Sequence, residues 1–381
     1  MKKKKTASFL LFVILLFALD KPVGAGLPSN ELWREDLTKN VIGFGKNTTG
    51  GKGGTLCQVT NLNDSGAGSL RACAEAVGPM WITFTVSGTI RLNSVMHIKS
   101  NKTIDGRGAN IVISNAGFVI GTWSYFDNGL VDNVIIHNIS MEDNYSNGMI
   151  IVGEGASNVW IDHCTFHDAV DEIVYVGSGT SYRRAAPYGV TISWNNFPAA
   201  TGGQGWANKS VLVSDGASGT GWTTYVDQAV TITLHHNHYQ TYVRHPLANW
   251  ATIHAFNNYY HRTEVGAQIA AYGKFYSENE IFEAPYANAY PMVKVNPYAG
   301  SKDWNIAPAA NVKVVNPWLI NGATVEQINP STIFVPSSYY SYTPDAANAA
   351  LQTAIINTAG RQNVTTPVSS LQAPTNLVVV Q

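Results

Sequence analysis

Charge is what this chain lacks most. Only 13% of its 381 residues are Asp, Glu, Lys or Arg, and their signs nearly cancel, at a formal −1. Nucleic-acid binding leaves a basic patch or stripe in a sequence, and none is present. Beyond the first 25 residues no apolar run is long enough to cross a bilayer, so no membrane partner is expected. Cysteine is sparse, with three residues. Cys57 and Cys73 flank a compact segment and can pair in an oxidising compartment, whereas Cys164 follows an apolar strand and reads as a buried small hydrophobe. Three free buried thiols is an equally good reading of the same count. The Gly-rich stretch 41–54 lacks the Gly-x-x-x-x-Gly-Lys-Ser/Thr spacing of a phosphate cradle, so its glycines are read as tight turns.

Residues 1–25 form a segment of their own. Lys2 to Lys5, the apolar run Phe9–Ala18 and the small residues Val23-Gly24-Ala25 match a secretory signal peptide. The protein is therefore expected to be secreted. Those 25 residues hold five Lys and one Asp, so their removal leaves 19 basic and 24 acidic residues, a balance of −5. The remainder is long enough to bury a substantial core. We divide it into one domain over 26–360 and a Thr-, Ser- and Pro-containing linker or tail over 361–381. Nothing in the sequence points to an oligomer, and a monomer is the default.

What is abundant is short β-branched strands. Ser69 is a fair N-cap for a helix over Leu70–Ala76, placed to plug the end of a strand stack. From Trp81 strands follow at 82–86, 89–92, 102–105 and 110–114, and then a clearer series starts near Val134, Val159, Val190, Val230, Thr252 and Lys274. Steps of about 22 to 40 residues mark a solenoid with loops of unequal length inserted at a corner. Asn138, Asn195, Asn237, Asn257 and Asn279 each end an apolar run, and such a column satisfies buried backbone groups from coil to coil. We expect an all-β fold, a right-handed single-stranded parallel β-helix with an N-terminal capping helix. The repeat fades after about Pro285 into loops, short strands and a C-terminal helix over Ala346–Ile356. A β-sandwich would show more hairpin turns.

Several ordered motifs then coincide. They include Gly43-Phe44-Gly45, Asn63-Asp64-Ser65-Gly66-Ala67-Gly68-Ser69-Leu70-Arg71 and Asn101-Lys102-Thr103-Ile104-Asp105-Gly106-Arg107-Gly108. The most specific are Val159-Trp160-Ile161-Asp162-His163, Val190-Thr191-Ile192-Ser193, and the segment from Arg244-His245-Pro246 to Asn258. From about Val41 to Asn279 the chain resembles the pectate and pectin lyases of the parallel β-helix type. The resemblance implies β-elimination on α-1,4-linked galacturonan, with the polysaccharide as partner. Arg244 falls where the family places its catalytic Arg, and Lys209 matches the Lys that binds the substrate carboxylate. A guanidinium is a poor base, so the role needs a transiently deprotonated guanidine or a water positioned by it. His163 belongs to a motif that in the family is chiefly internal packing and hydrogen bonding.

The departures from the family bear on metal and substrate. The resemblance implies a Ca2+ site built from carboxylates, but one family Asp pair falls near Ser146-Asn147-Gly148, where no carboxylate stands. Of a second pair, Asp171 is present and Tyr175 replaces its partner. Asp171 is thus the one matched metal ligand of an incomplete site, with Asp143, Glu154 and Glu172 as the acids available to complete it. A further family Arg is replaced by Asn249. Fewer charges fit a less acidic, methyl-esterified substrate or an activity without tight calcium, and Arg183 or Arg184 could stand where the metal would sit. His245, Asn249, Trp222 and Trp206 join Lys209 as expected substrate contacts, and Trp194, Tyr242 and Trp250 cluster near the same segments. A hydrolase on this scaffold would need paired carboxylates at a set separation, for which Asp168 and Asp171 are the nearest candidates. A non-catalytic carbohydrate-binding β-helix would have no need of Lys209 and Arg244 together.

Overall fold

The computed structural model describes residues 37–123, 126–144, 148–178, 186–201, 209–215, 230–270, 272–287, 289–295 and 310–363. Residues 1–36 and 364–381 lie outside them, and with them the expected signal segment and most of the tail.

Three parallel sheets of ten, nine and eight strands stack along one axis. The first sheet contains the whole expected series in order: Val131–His137, Ala156–Asp162, Tyr188–Ser193, Val230–His235, Ala251–Phe256 and Lys274–Glu278. Each strand pairs in parallel with the next, for example Val159 with Val190 and Ile232 with Ile253. One coil runs from Ala156–Asp162 in the first sheet through Thr165–Phe166 in the second to Glu172–Ser178 in the third. This is the parallel β-helix the periodicity predicts. The one antiparallel pair of strands among the described residues is Thr122–Trp123 with Phe126–Asp127. The repeat does not fade at Pro285: Val293–Val295, Asn311–Val315 and Trp318–Ile320 each extend one of the three sheets.

Alternation sets the core. Along each first-sheet strand the inward side chains, such as Val159, Ile161, Val190, Ile192, Ile232 and Leu234, are fully buried. Aromatic residues of the second sheet continue the stack inside, with Phe166, Phe197, Tyr239, Tyr260 and Phe282 following one another at centroid spacings of 5.2, 4.9, 5.2 and 4.6 Å.

The corner between the first and second sheets is two residues wide on successive coils. Its first position holds a left-handed residue: His163, Trp194, His236, Asn257 and Asn279 have φ between 49° and 56°. Its second position turns inward and forms the ladder. Asn195 Oδ1 accepts from Cys164 N at 2.8 Å, Asn237 Oδ1 from Asn195 N at 3.0 Å, Asn258 Oδ1 from Asn237 N at 2.9 Å, and Glu280 Oε2 from Asn258 N at 2.5 Å. The expected ladder is therefore real but displaced by one residue at two rungs. Asn258 and Glu280 take the places assigned to Asn257 and Asn279, while Asn138 instead accepts from Gln362 N. The unequal coil lengths arise elsewhere, where the chain leaves the second and third sheets.

Two chain ends cover the outer face of the first sheet. The Gly-rich stretch lies along a row of outward threonines: Gly51 N donates to Thr103, Gly45 N to Thr191 and Phe44 N to Thr233. A Cβ on Gly51 would sit 1.9 Å from the Met80 carbonyl oxygen, so close approach, and not a phosphate, explains the glycines. At the other end Tyr340 Oη meets His254 and Thr233, and the helix Ala349–Thr358 buries Leu351 and Ile355 against Tyr259 and Ile281. Just beyond it, Arg361 N donates to Thr165 and Gln362 N to Asn138. The capping helix is Leu70–Ala74, with Ser69 Oγ accepting from Ala72 N as its N-cap. Cys73 on it is bonded to Cys57, and Cys164 is free and buried. No helix among the described residues is long and apolar enough to cross a membrane.

Candidate functional site

The third sheet gathers the residues the sequence singled out. Lys209 opens the strand Lys209–Asp215 and pairs in register with Glu172 on the preceding coil. Arg244 lies one coil further, in the turn before Leu247–Ala248, and its carbonyl accepts from Val211 N at 2.8 Å. Its φ of 69° is left-handed, a conformation that costs a non-glycine residue about 1–3 kcal/mol and concentrates at functional sites.

Each cation meets a carboxylate. The Lys209 ammonium pairs with Asp171 and the Arg244 guanidinium with Glu172. The two acids are adjacent in sequence but not in environment: the Glu172 side chain is 4% exposed and that of Asp171 is 41% exposed. Both cations keep about a fifth of their side-chain surface, 20% for Lys209 and 22% for Arg244, so each can be reached from solvent. Sequence reasoning named Lys209, Arg244 and Asp171 but gave Glu172 only a reserve place as a metal ligand. The register that sets it beside Lys209 is not visible before the strands are stacked.

Tyr175, three residues beyond Glu172, stands in an outward column across the sheet. The column runs Val119, Ile151, Tyr175, Leu212, with each pair in register. Val119, Ile151 and Tyr175 form an apolar cluster against which Trp123, Phe126 and Leu212 pack, with the Trp123 ring 6.0 Å from that of Tyr175. Of the two acid pairs the resemblance implies, one falls near Ser146-Asn147-Gly148, where the sequence has no carboxylate, and the other at Asp171 and Tyr175. Here the one surviving acid is ion-paired, and the other position is an aromatic ring in an apolar cluster. Hard oxygen ligands in number are what Ca2+ requires, so these residues do not fit it. Of the reserve acids, Glu172 is engaged by Arg244, Glu154 is buried beside the Thr122 backbone, and Asp143 belongs to the second sheet. Among the described residues the one trio of potential ligand atoms within 4.8 Å of one another is His137, Asp162 and His163, at the far corner.

Two expected substrate contacts are buried. His245 is fully buried, its Nδ1 lying 2.8 Å from Ser210 Oγ and its ring against Tyr239, and burial lowers its pKa to about 3. It stands as a neutral side chain packed beneath the Arg244 turn. Asn249 is 2% exposed and its backbone N–H donates to Val213 O, so it too is held inside. Trp222, Trp206, Arg183, Arg184, Ser146 and Asn147 lie outside the described residues. Trp194 lies away from the third sheet, stacking on His236 and His163 at the first corner, whereas Trp250 stacks on Tyr272 and Tyr242 is exposed.

His163 occupies the structural role expected of its motif. It and His137 both bond Asp162 Oδ2, at 2.6 and 2.9 Å, and Ser193 Oγ donates to Oδ1 at 2.5 Å. Burial alone would raise the Asp162 pKa, but the adjacent His163 and these hydrogen bonds outweigh it and hold the carboxyl far below the usual range.

Residues 85–364 match the family model described as Pectate lyase. Pectate lyase 5 of Ambrosia artemisiifolia is 40% identical over 172 residues, covering 39% of this chain and 41% of that protein. Probable pectate lyase 6 of Arabidopsis thaliana is 29% identical over 308 residues, covering 71% and 61%. The chain thus spans less than two thirds of the length of these relatives. The crystal structure of Jun a 1, the major allergen from cedar pollen, superimposes with a TM-score of 0.68 over 87% of this chain and 95% of that one, at 23% identity, a likeness of fold. The matched model covers most of the chain and takes in both Lys209 and Arg244: the chain belongs to the pectate lyase family.

Proposed function

We propose that this protein is a secreted pectinolytic lyase that cleaves α-1,4-galacturonan by β-elimination and releases unsaturated oligogalacturonides. The observation that carries the reading is the placement of Lys209 at the start of one third-sheet strand and of Arg244 in the turn before the next, both solvent-reachable, within a chain of the pectate lyase family. The relatives' names supply the substrate class, pectate.

The chemistry asks for two things. The C5 proton, acidified by the neighbouring carboxyl carbon, must leave, and the negative charge that then develops on that carboxyl must be met by fixed positive charge. Arg244 is the group assigned to the C5 proton, directly or through a water it orients. Lys209 is assigned to the carboxyl oxygens, where its charge counts for more as the charge on them grows. As the C5–H electrons form the C4=C5 double bond, the C4–O bond breaks and the departing oxygen takes a proton from water. One C–O bond is lost, one double bond is gained, and no oxidant is needed.

Export is supported by the character of residues 1–25 and by the Cys57–Cys73 disulfide, a bond kept in oxidising compartments. The roles are tested by steady-state kinetics on pectic substrates, followed through the ultraviolet absorbance of the unsaturated product. Arg244→Lys keeps the charge but loses the fork and reach of the guanidine, and a fall in kcat of at least about 100-fold with a small change in KM is expected, in the range of one proton-transfer group. Wild-type kcat in Arg244→Lys would remove Arg244 from the chemistry.

A further inference from the structure

We propose that Asp171 and Glu172 are built-in counter-ions that make this site charge-balanced, so that it selects methyl-esterified galacturonan over the free polyacid and works without a divalent metal. The inference rests on the lyase reading above and names the substrate form that the same site prefers.

Among the described residues four charges meet here, two of each sign. Lys209 pairs with Asp171 and Arg244 with Glu172, and Glu172 is also the register partner of Lys209. A free uronate that takes a spare N–H of either cation sits beside a carboxylate already in contact with it, and in the case of Glu172 one almost wholly removed from water. Like charges so placed repel, and displacing the buried carboxylate instead is costly, since nothing replaces its lost charge interaction. A second polyanion residue alongside would also face Asp171, which is 41% exposed. An ester carbonyl, by contrast, needs only a hydrogen bond from an N–H of the Lys or Arg and leaves both ion pairs in place.

The rest of the surface agrees with a less charged ligand. About 10 Å along the strands from the ion pairs, at the ordinary rise per residue, lie Tyr175 and Leu212, with Trp123 and Phe126 over them. These apolar and aromatic groups offer contact area for ester methyls and sugar faces and no carboxylate for a cation. The acid that could have shared a metal is held by Lys209. Here the enzyme's own cations neutralise its acids first.

The test uses the full-length secreted protein. Initial rates of unsaturated product formation are measured on highly methyl-esterified pectin and on polygalacturonate, each with EDTA and with added CaCl2, and Ca2+ binding is measured separately by calorimetry. The expected result is an ester-to-acid ratio of kcat/KM above tenfold, rates unchanged by EDTA, and no calorimetric Ca2+ site tighter than millimolar. Asp171→Asn, at a half-exposed position that folding tolerates, and Glu172→Gln should each lower the ester-to-acid ratio at least threefold, because a freed cation now accepts the uronate. Faster cleavage of polygalacturonate with an EDTA-sensitive rate and a micromolar Ca2+ site would overturn this inference and leave the lyase reading intact. Absence of unsaturated product from either substrate would overturn the lyase reading, and the inference with it. A ratio unmoved in both variants would show that the counter-ions do not set the preference.

Discussion

Removing one rung of the inward ladder should unsettle the whole coil stack, and Asn237→Ala is the sharpest case. Asn237 is fully buried and its side chain makes four hydrogen bonds. Its Oδ1 accepts from Asn195 N at 3.0 Å and from Asn195 Nδ2 at 3.1 Å, and its Nδ2 donates to Ile192 O and Asn258 Oδ1, both at 2.9 Å. Truncation to Ala leaves Asn258 Oδ1 with the Asn237 backbone N–H. It strands the Asn195 backbone N–H and one amide hydrogen of Asn195. Two buried donors without partners cost about 1–3 kcal/mol each, so about 4 kcal/mol in sum. At roughly 2 °C per kcal/mol for a domain of this size, Tm should fall by about 8 °C. The assay is thermal unfolding by circular dichroism, with Asn316→Gly as comparison. Asn316 occupies an exposed left-handed position of the neighbouring column, with φ 48°, and glycine suits that conformation, so its Tm should move by less than about 2 °C. A loss below about 1 kcal/mol in Asn237→Ala would refute the claim that the ladder satisfies donors that nothing else can reach.

Two other outcomes follow from the same physics. Glu280 ends the ladder, fully buried, and burial pushes its pKa well above the ordinary carboxylate value despite the bonds from Asn258. A carboxyl whose folded pKa is raised contributes stability that is complete below its unfolded pKa, near 4.5, and is lost as pH rises. Glu280→Gln should therefore match the wild type near pH 4 and exceed its Tm at pH 8, and an unchanged difference between the two pH values would contradict this. Gly51→Ala places a methyl group 1.9 Å from the Met80 carbonyl oxygen. The clash should destabilise by about 1–3 kcal/mol, as overpacking does, and expose the 41–54 strap to limited proteolysis; wild-type protease resistance would argue against the close approach.

The sequence discloses the fold further than it discloses the site. Strand starts at Val159, Val190, Val230 and Thr252 are legible because the corner after each first-sheet strand has a fixed two-residue length, which keeps the pattern in phase. The ladder is off by one at Asn258 and Glu280 for a local reason. In the doublet Asn257-Asn258 either residue could face inward, and the corner interrupts the two-residue alternation that would decide between them. The coil beyond Pro285 escaped notice because Val293–Val295 and Trp318–Ile320 are only three residues each.

At the site, Lys209 and Arg244 carry motif signals of their own, but Glu172 acquires its meaning only from pairing with Lys209 across coils. His245 shows what the sequence leaves open: a polar residue beside a catalytic candidate reads as a ligand contact, and the turn packs its ring against Tyr239 and Ser210. The apolar cluster around Tyr175 depends on the short Thr122–Trp123 and Phe126–Asp127 hairpin, two residues per strand, which no periodicity announces.

The most direct measurement is the chemistry of the first bond broken. Purified protein is incubated with pectin and with polygalacturonate, and the oligosaccharides are separated and weighed by mass spectrometry alongside ultraviolet absorbance. β-Elimination predicts absorbing fragments that lack one water relative to hydrolysis products, and their disappearance in Arg244→Ala. Fragments that carry the added water and do not absorb would contradict the account, since they would mean a hydrolase built on the same coil of strands.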